Sequence, residues 1–61
     1  MNKTVKFYVY YRDQHGEDQV ADVFIDAIYY GVSGERAKIV EMFESEYGDD
    51  YSAIREIERC L

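Results

Sequence analysis

From Thr4 to Tyr11 the chain reads Thr-Val-Lys-Phe-Tyr-Val-Tyr-Tyr, dense in β-branched and aromatic residues and alternating with a period of two. Gln19 to Tyr30 alternates again, with Ala21, Val23, Ile25 and Ala27 on one side and Asp22, Phe24 and Asp26 on the other. The stretch between them, Asp13-Gln14-His15-Gly16-Glu17-Asp18, carries turn chemistry, and Gly16 takes a positive φ without steric cost. Two such runs constrain one another. A three-residue loop of Gln14, His15 and Gly16, bulged at the glycine, sets Val9 opposite Ala21, Phe7 opposite Val23 and Val5 opposite Ile25. All six then share one face. A slip of one residue would bring Val9 against Asp22, so the hydrophobic pattern itself specifies the register. On the other face, Tyr8 falls across from Asp22 and Lys6 across from Phe24.

Gly31-Val32-Ser33-Gly34 breaks the second strand. Ser33 is placed to cap a helix, because its hydroxyl can accept from an orphan amide one turn in. Glu35 follows in the first turn, where the helix dipole favours an anion. Ala37, Ile39, Val40, Phe43 and Tyr47 then gather on one side at 100° per residue, with Lys38, Glu41 and Ser45 pointing away. Gly48 suits a C′ position that ends the helix. The last segment reads two ways. As a helix it shows Ile54, Ile57 and Leu61 at i, i+3 and i+7; as a strand it sets Ala53, Ile57 and Leu61 on one face and Ile54 and Cys60 on the other. Propensity favours the helix. Topology favours the strand, since a bare hairpin is marginal and a third strand beside the first, antiparallel to it, closes an open edge. The expected fold is therefore α+β, a ββαβ chain with strands over 4–12 and 19–30, a helix over 34–47 and a strand over 52–60. The alternative is ββαα with a short C-terminal helix.

Size and charge limit what such a domain does. The 61 residues form one domain, and a chain this short buries only about 60% of the surface its unfolded form exposes. A walled substrate cleft is not expected. Thirteen acids against seven bases leave a net charge of −6, which disfavours direct binding to nucleic acid, whose affinity rests on Lys and Arg against phosphate. No apolar run is long enough to span a membrane, and no charged start leads into a long apolar core, so a cytoplasmic location is expected. Cys60 is the single cysteine and cannot form an internal disulfide; His15 is the single histidine, in a polar loop. Neither suggests a metal or catalytic site. Asp22 and Asp26 are about 13 Å apart by strand rise, too far to share a cation, and Asp49-Asp50 lacks the spacing of a calcium loop. Ser33 and Ser45 have no base beside them. The expectation is a protein without catalytic residues, metal or cofactor.

The stretch Ser33-Gly34-Glu35-Arg36-Ala37, with Phe43, Tyr47-Gly48-Asp49-Asp50, Ile54 and Ile57, resembles a pattern common in small acidic proteins of phages and mobile elements. In that group a hairpin is followed by one helix, a Tyr-Gly-Asp-Asp-like turn and a short terminal strand. The resemblance covers the C-terminal half and departs at Gly31-Val32, where an acidic linker would be expected. That leaves the end of the second strand open. The resemblance implies the ββαβ architecture and a phage origin, and it carries over no catalytic residue. Small acidic phage proteins often act by binding host proteins, including nucleic-acid-handling machinery.

Two surfaces are candidates for such binding. Tyr8, Tyr10 and Phe24, joined by Ile28 or Tyr30, would line the outer face of the hairpin with no helix above them, rimmed by Lys6, Asp22 and Asp26. Aromatics on a rigid sheet with a polar edge are the chemistry of an interaction hot spot, although tyrosines also serve as ordinary cross-strand pairs. The second candidate is acidic: Glu41, Glu44, Asp49 and Asp50 belong to a C-terminal half rich in carboxylates, which could imitate phosphate spacing and attract a basic protein. Arg36, Lys38, Arg55 and Arg59 interrupt it, and a solvated helix face explains the same charges. The functional expectation is a small acidic protein-binding module, an inhibitor or modulator of a larger, basic host protein. A self-associating structural or assembly protein, pairing through the second strand's edge or its tyrosine face as a homodimer, is the alternative.

Overall fold

The computed structural model describes residues 3–60. Strands β1 (Thr4–Asp13) and β2 (Asp18–Asp26) form the hairpin; a short 3-10 helix (Ala27–Tyr29) leads to helix α1 (Glu35–Tyr47), and strand β3 (Tyr51–Arg59) follows. The sheet has the order β2-β1-β3, antiparallel throughout. This is the α+β fold, ββαβ, that the alternation and the hairpin's open edge imply.

The hairpin register is the one the apolar pattern specifies: Val9 faces Ala21, Phe7 faces Val23, Val5 faces Ile25, Tyr8 faces Asp22 and Lys6 faces Phe24. Five of the six expected inward residues are buried, and Val5 is half-buried at the end of the ladder. Gly16 adopts φ 83°, while Asp13 N–H donates to Glu17 O at 2.9 Å and Gly16 N–H donates to Asp13 O at 3.1 Å. The Asp13 carboxylate adds two local bonds, its Oδ1 accepting from the amides of His15 and Glu17 at 2.9 Å each. Those backbone bonds lower the Asp13 pKa below its ordinary value, Glu17's contributing most.

The second strand stops at Asp26, four residues short of the expected Tyr30. Asp26 Oδ1 accepts from Ile28 N–H at 3.1 Å, and Tyr30 N–H donates to Ala27 O at 3.1 Å, so the carboxylate turns the chain off the ladder into the 3-10 helix. Gly31, at φ 75°, completes the turn. Ser33 does not cap α1. Gly34 holds the N-cap position without a side-chain bond, and Glu35 instead reaches back, its Oε2 accepting from Gly31 N–H at 2.6 Å. At the other end Gly48 stays right-handed (φ −54°, ψ −32°) and is not a left-handed C′ residue. Space is what it supplies there, since a Cβ would lie 2.6 Å from Glu44 O.

The last segment is a strand, but simple alternation is not its pattern. Opposite β1 residues Val9, Tyr11 and Asp13 stand Ile57, Ile54 and Tyr51, so a step of two on β1 meets a step of three on β3. Two irregularities absorb the difference, one leaving Arg55 and the other Ser52 as the extra residue. Tyr51, Ile54 and Ile57 therefore all pack against the core, Ala53 is exposed, and Ile54 does not share a face with Cys60 as expected. Leu61 lies outside the described residues.

Helix α1 covers the inner face of the sheet, with Ile39 and Phe43 buried beneath it and Val40 and Tyr47 half-buried; Ala37, expected inward, is exposed. Phe43 is the centre of an aromatic cluster, its ring 5.0 Å from Tyr11, 5.2 Å from Tyr47 and 5.0 Å from Tyr51. Tyr11, which points inward by parity, is 8% exposed, and that desolvation raises its pKa.

Candidate functional site

The open face of the sheet is built from the even-numbered residues of β1 and β2: Lys6, Tyr8, Tyr10 and Arg12 beside Val20, Asp22 and Phe24. No other element of the described residues lies over it, and Phe24 and Val20 stay 51% and 55% exposed. Tyr8 and Tyr10, on the central strand, are half-buried between β2 and the Glu58 and Glu56 positions of β3. Val20 was not among the residues the sequence singled out, though its parity places it beside Tyr10.

Ion pairs fringe these aromatics. Lys6 Nζ lies 3.5 Å from Asp22 Oδ2 and 5.1 Å from the centre of the Tyr8 ring. Burial works against the Lys6 ammonium, yet the nearby Asp22 and Tyr8 outweigh it and raise its pKa. At the other end Asp18 Oδ1 sits 3.6 Å from both Arg12 Nε and Arg55 Nη1. The Cys60 thiol donates to the Tyr8 hydroxyl at 3.2 Å, and Cys60 N–H donates to Lys6 O at 3.0 Å. The bond with Cys60 raises the Tyr8 pKa, with Lys6 pulling the other way. The single cysteine, which has no role in an internal disulfide, is thus part of the face.

Three residues expected at this face are placed otherwise. Tyr30 turns to the helix side, its ring 6.4 Å from Phe7 and 4.7 Å from the Arg59 guanidinium, because the strand has already ended at Asp26. Asp26 is engaged as the cap of the 3-10 helix. Ile28, in that helix, is 71% exposed beyond the end of the ladder.

The candidate acids fall on a separate surface. Glu41 pairs with Lys38 at 3.4 Å, and Glu44 Oε2 accepts from the Tyr51 hydroxyl at 2.6 Å, which raises the Tyr51 pKa. Asp50 is held through its backbone, its N–H donating to Tyr47 O at 2.9 Å and its carbonyl accepting from Gln14 N–H at 3.1 Å, while Asp49 is exposed in the same turn. Helix α1 packs on the opposite side of the sheet from Tyr8 and Phe24, and the turn lies beyond its end against the hairpin loop at Gln14, so the two candidate groups do not form one site. A broad hollow of about 820 Å³ runs along Arg36, Ala37, Val40, Glu41 and Glu44; only α1 and its approach line it, so it is open surface. A small cleft of about 100 Å³ lies between β2 and α1, lined by Asp22, Val23, Phe24, Met42 and Glu46.

Among the described residues no three His, Cys, Asp or Glu side chains gather as metal ligands, and no helix is long and apolar enough to cross a membrane. His15 is exposed at the hairpin tip. Compared with models of known protein families, with curated proteins and with solved structures, the chain gives no match.

Proposed function

We propose that this protein is a non-catalytic binding module that docks onto a larger protein through the open face of its sheet. One observation carries the reading: an aromatic and aliphatic face, Tyr8, Tyr10, Val20 and Phe24, left uncovered on a regular hairpin while the helix packs the other side. Apolar groups held on rigid strands lose little conformational freedom on binding, and charged pairs at the rim orient the partner more than they hold it. The net charge of −6 selects a partner with a basic surface, as nucleic-acid-handling proteins have. The resemblance to small phage and mobile-element proteins supports a phage-encoded inhibitor or modulator working in the host cytoplasm.

The test is capture of partners by the tagged protein from nuclease-treated lysate, with light scattering on the purified protein in parallel. A monomer that retains a basic protein in stoichiometric amount supports the reading. A stable dimer with no captured partner overturns it in favour of self-association.

A further inference from the structure

Hydrogen-bond parity shows which backbone groups the hairpin leaves unused. Asp13 N–H donates to Glu17 O at one end of the ladder, and Ala27 N–H donates to Lys3 O at the other, both at 2.9 Å. Both pairs obey the register that sets Thr4 against Asp26 and Arg12 against Asp18, with no irregularity between them. In an antiparallel ladder bonded pairs alternate with unbonded ones. The odd residues Gln19, Ala21, Val23 and Ile25 therefore bond to β1, and Val20, Asp22 and Phe24 point N–H and C=O away from the sheet. These are the residues whose side chains form the β2 side of the open face. β2 is an edge strand of nine residues, while the opposite edge, β3, is broken by two register shifts that impede pairing.

We infer that the free edge of β2 takes a strand from the partner, one that sets a lysine or arginine opposite Asp22 and apolar residues opposite Val20 and Phe24. This rests on the open face being the docking surface and names how it is engaged. In antiparallel addition each outward residue exchanges both of its bonds with the residue directly across, so side chains meet pairwise. Asp22 and Glu46 line the cleft between β2 and α1 together with Val23, Phe24 and Met42. Acids thus flank the β2 edge, Asp22 beside Lys6 on the open face and Glu46 on the helix side, and favour a basic side chain on the incoming strand.

Charge also argues against a second copy as the occupant. The β2 sequence, Asp-Gln-Val-Ala-Asp-Val-Phe-Ile-Asp, holds three acids and no base. Pairing it with itself about Val20, Asp22 or Phe24 sets aspartate against aspartate, and pairing about Ala21 or Val23 sets Asp22 against an apolar side chain. No register supplies a cation.

The experiment is amide hydrogen exchange by NMR on the full chain, with and without a nine-residue synthetic peptide matched to β2, carrying lysine at its centre opposite Asp22 and at both ends, valine two residues to either side of the centre opposite Val20 and Phe24, and threonine elsewhere. The expected result is exchange slowed at least tenfold at Val20, Asp22 and Phe24, with Ala21 and Val23 unchanged. Asp22→Lys should weaken the lysine peptide about fivefold and strengthen its glutamate counterpart, as for a partly exposed ion pair. A peptide that shifts the Tyr8 and Tyr10 signals without protecting those three amides overturns strand addition and leaves face docking standing. Absence of binding at millimolar peptide, or protection along β3 instead, also overturns it. Failure of the docking reading itself would be seen separately, as a lysate from which no partner is captured.

Discussion

Ile54 and Ile57 stand three residues apart in β3, yet both pack against the core, because Arg55 is left out of the ladder between the Tyr11–Ile54 and Tyr10–Glu56 pairs. Deleting Arg55 would put the two isoleucines at ordinary strand spacing with their partners unchanged. The deletion variant should fold, within about 1 kcal/mol of the parent in urea denaturation, while losing the Arg55–Asp18 contact. Deleting Asp22 from unbulged β2 should abolish folding, since every residue on one side of the gap changes face.

Phe43 is fully buried and its ring meets those of Tyr11, Tyr47 and Tyr51. Truncation of such a residue costs about 3–5 kcal/mol. A domain of this length has roughly 3–9 kcal/mol of stability in all. Phe43→Ala should therefore be largely unfolded at 37 °C by circular dichroism, whereas Ile39→Val should lower stability by about 1 kcal/mol.

Gly16 and Gly34 have equal room for a Cβ, but only Gly16 has positive φ. Gly16→Ala should destabilise by about 1–2 kcal/mol through left-handed strain. Gly34→Ala, free of that strain, should change stability by less than about 0.5 kcal/mol, because the narrowed unfolded ensemble is set against alanine's poor fit at an N-cap. Thermal melts of the two variants give the comparison.

The Asp13 carboxylate has a folded pKa below its ordinary value of 3.8. Its contribution is thus present above the unfolded pKa and is lost as pH falls through the folded one. Asp13→Asn, which cannot ionise, should be less stable than the parent at neutral pH and should flatten the acid limb below about pH 4. Urea midpoints measured across the acid range would show a converging pair of curves.

The hairpin was readable because three signals agreed: alternation in both runs, a glycine where the turn needs positive φ, and a register that any slip would spoil. The third strand followed from topology, the hairpin's open edge, and not from its own pattern, because its bulges space Tyr51, Ile54 and Ile57 as a helix would. A bulge is set by long-range pairing, and no local pattern marks it. Asp26 misled for a related reason, since its carboxylate keeps the strand's alternation but turns the chain. At the candidate site, parity alone placed Tyr8, Tyr10 and Phe24 together and would have added Val20. The separation of Glu41 and Glu44 from them follows from which face α1 covers.

The most direct measurement compares two variants in the same partner capture, each first shown to be folded. One is Tyr10→Ala combined with Phe24→Ser on the open face; the other is Glu41→Lys combined with Glu44→Lys on the helix. Loss of the partner from the sheet variant with retention by the helix variant is the predicted result. Retention by the sheet variant with loss from the helix variant would contradict docking through the open face.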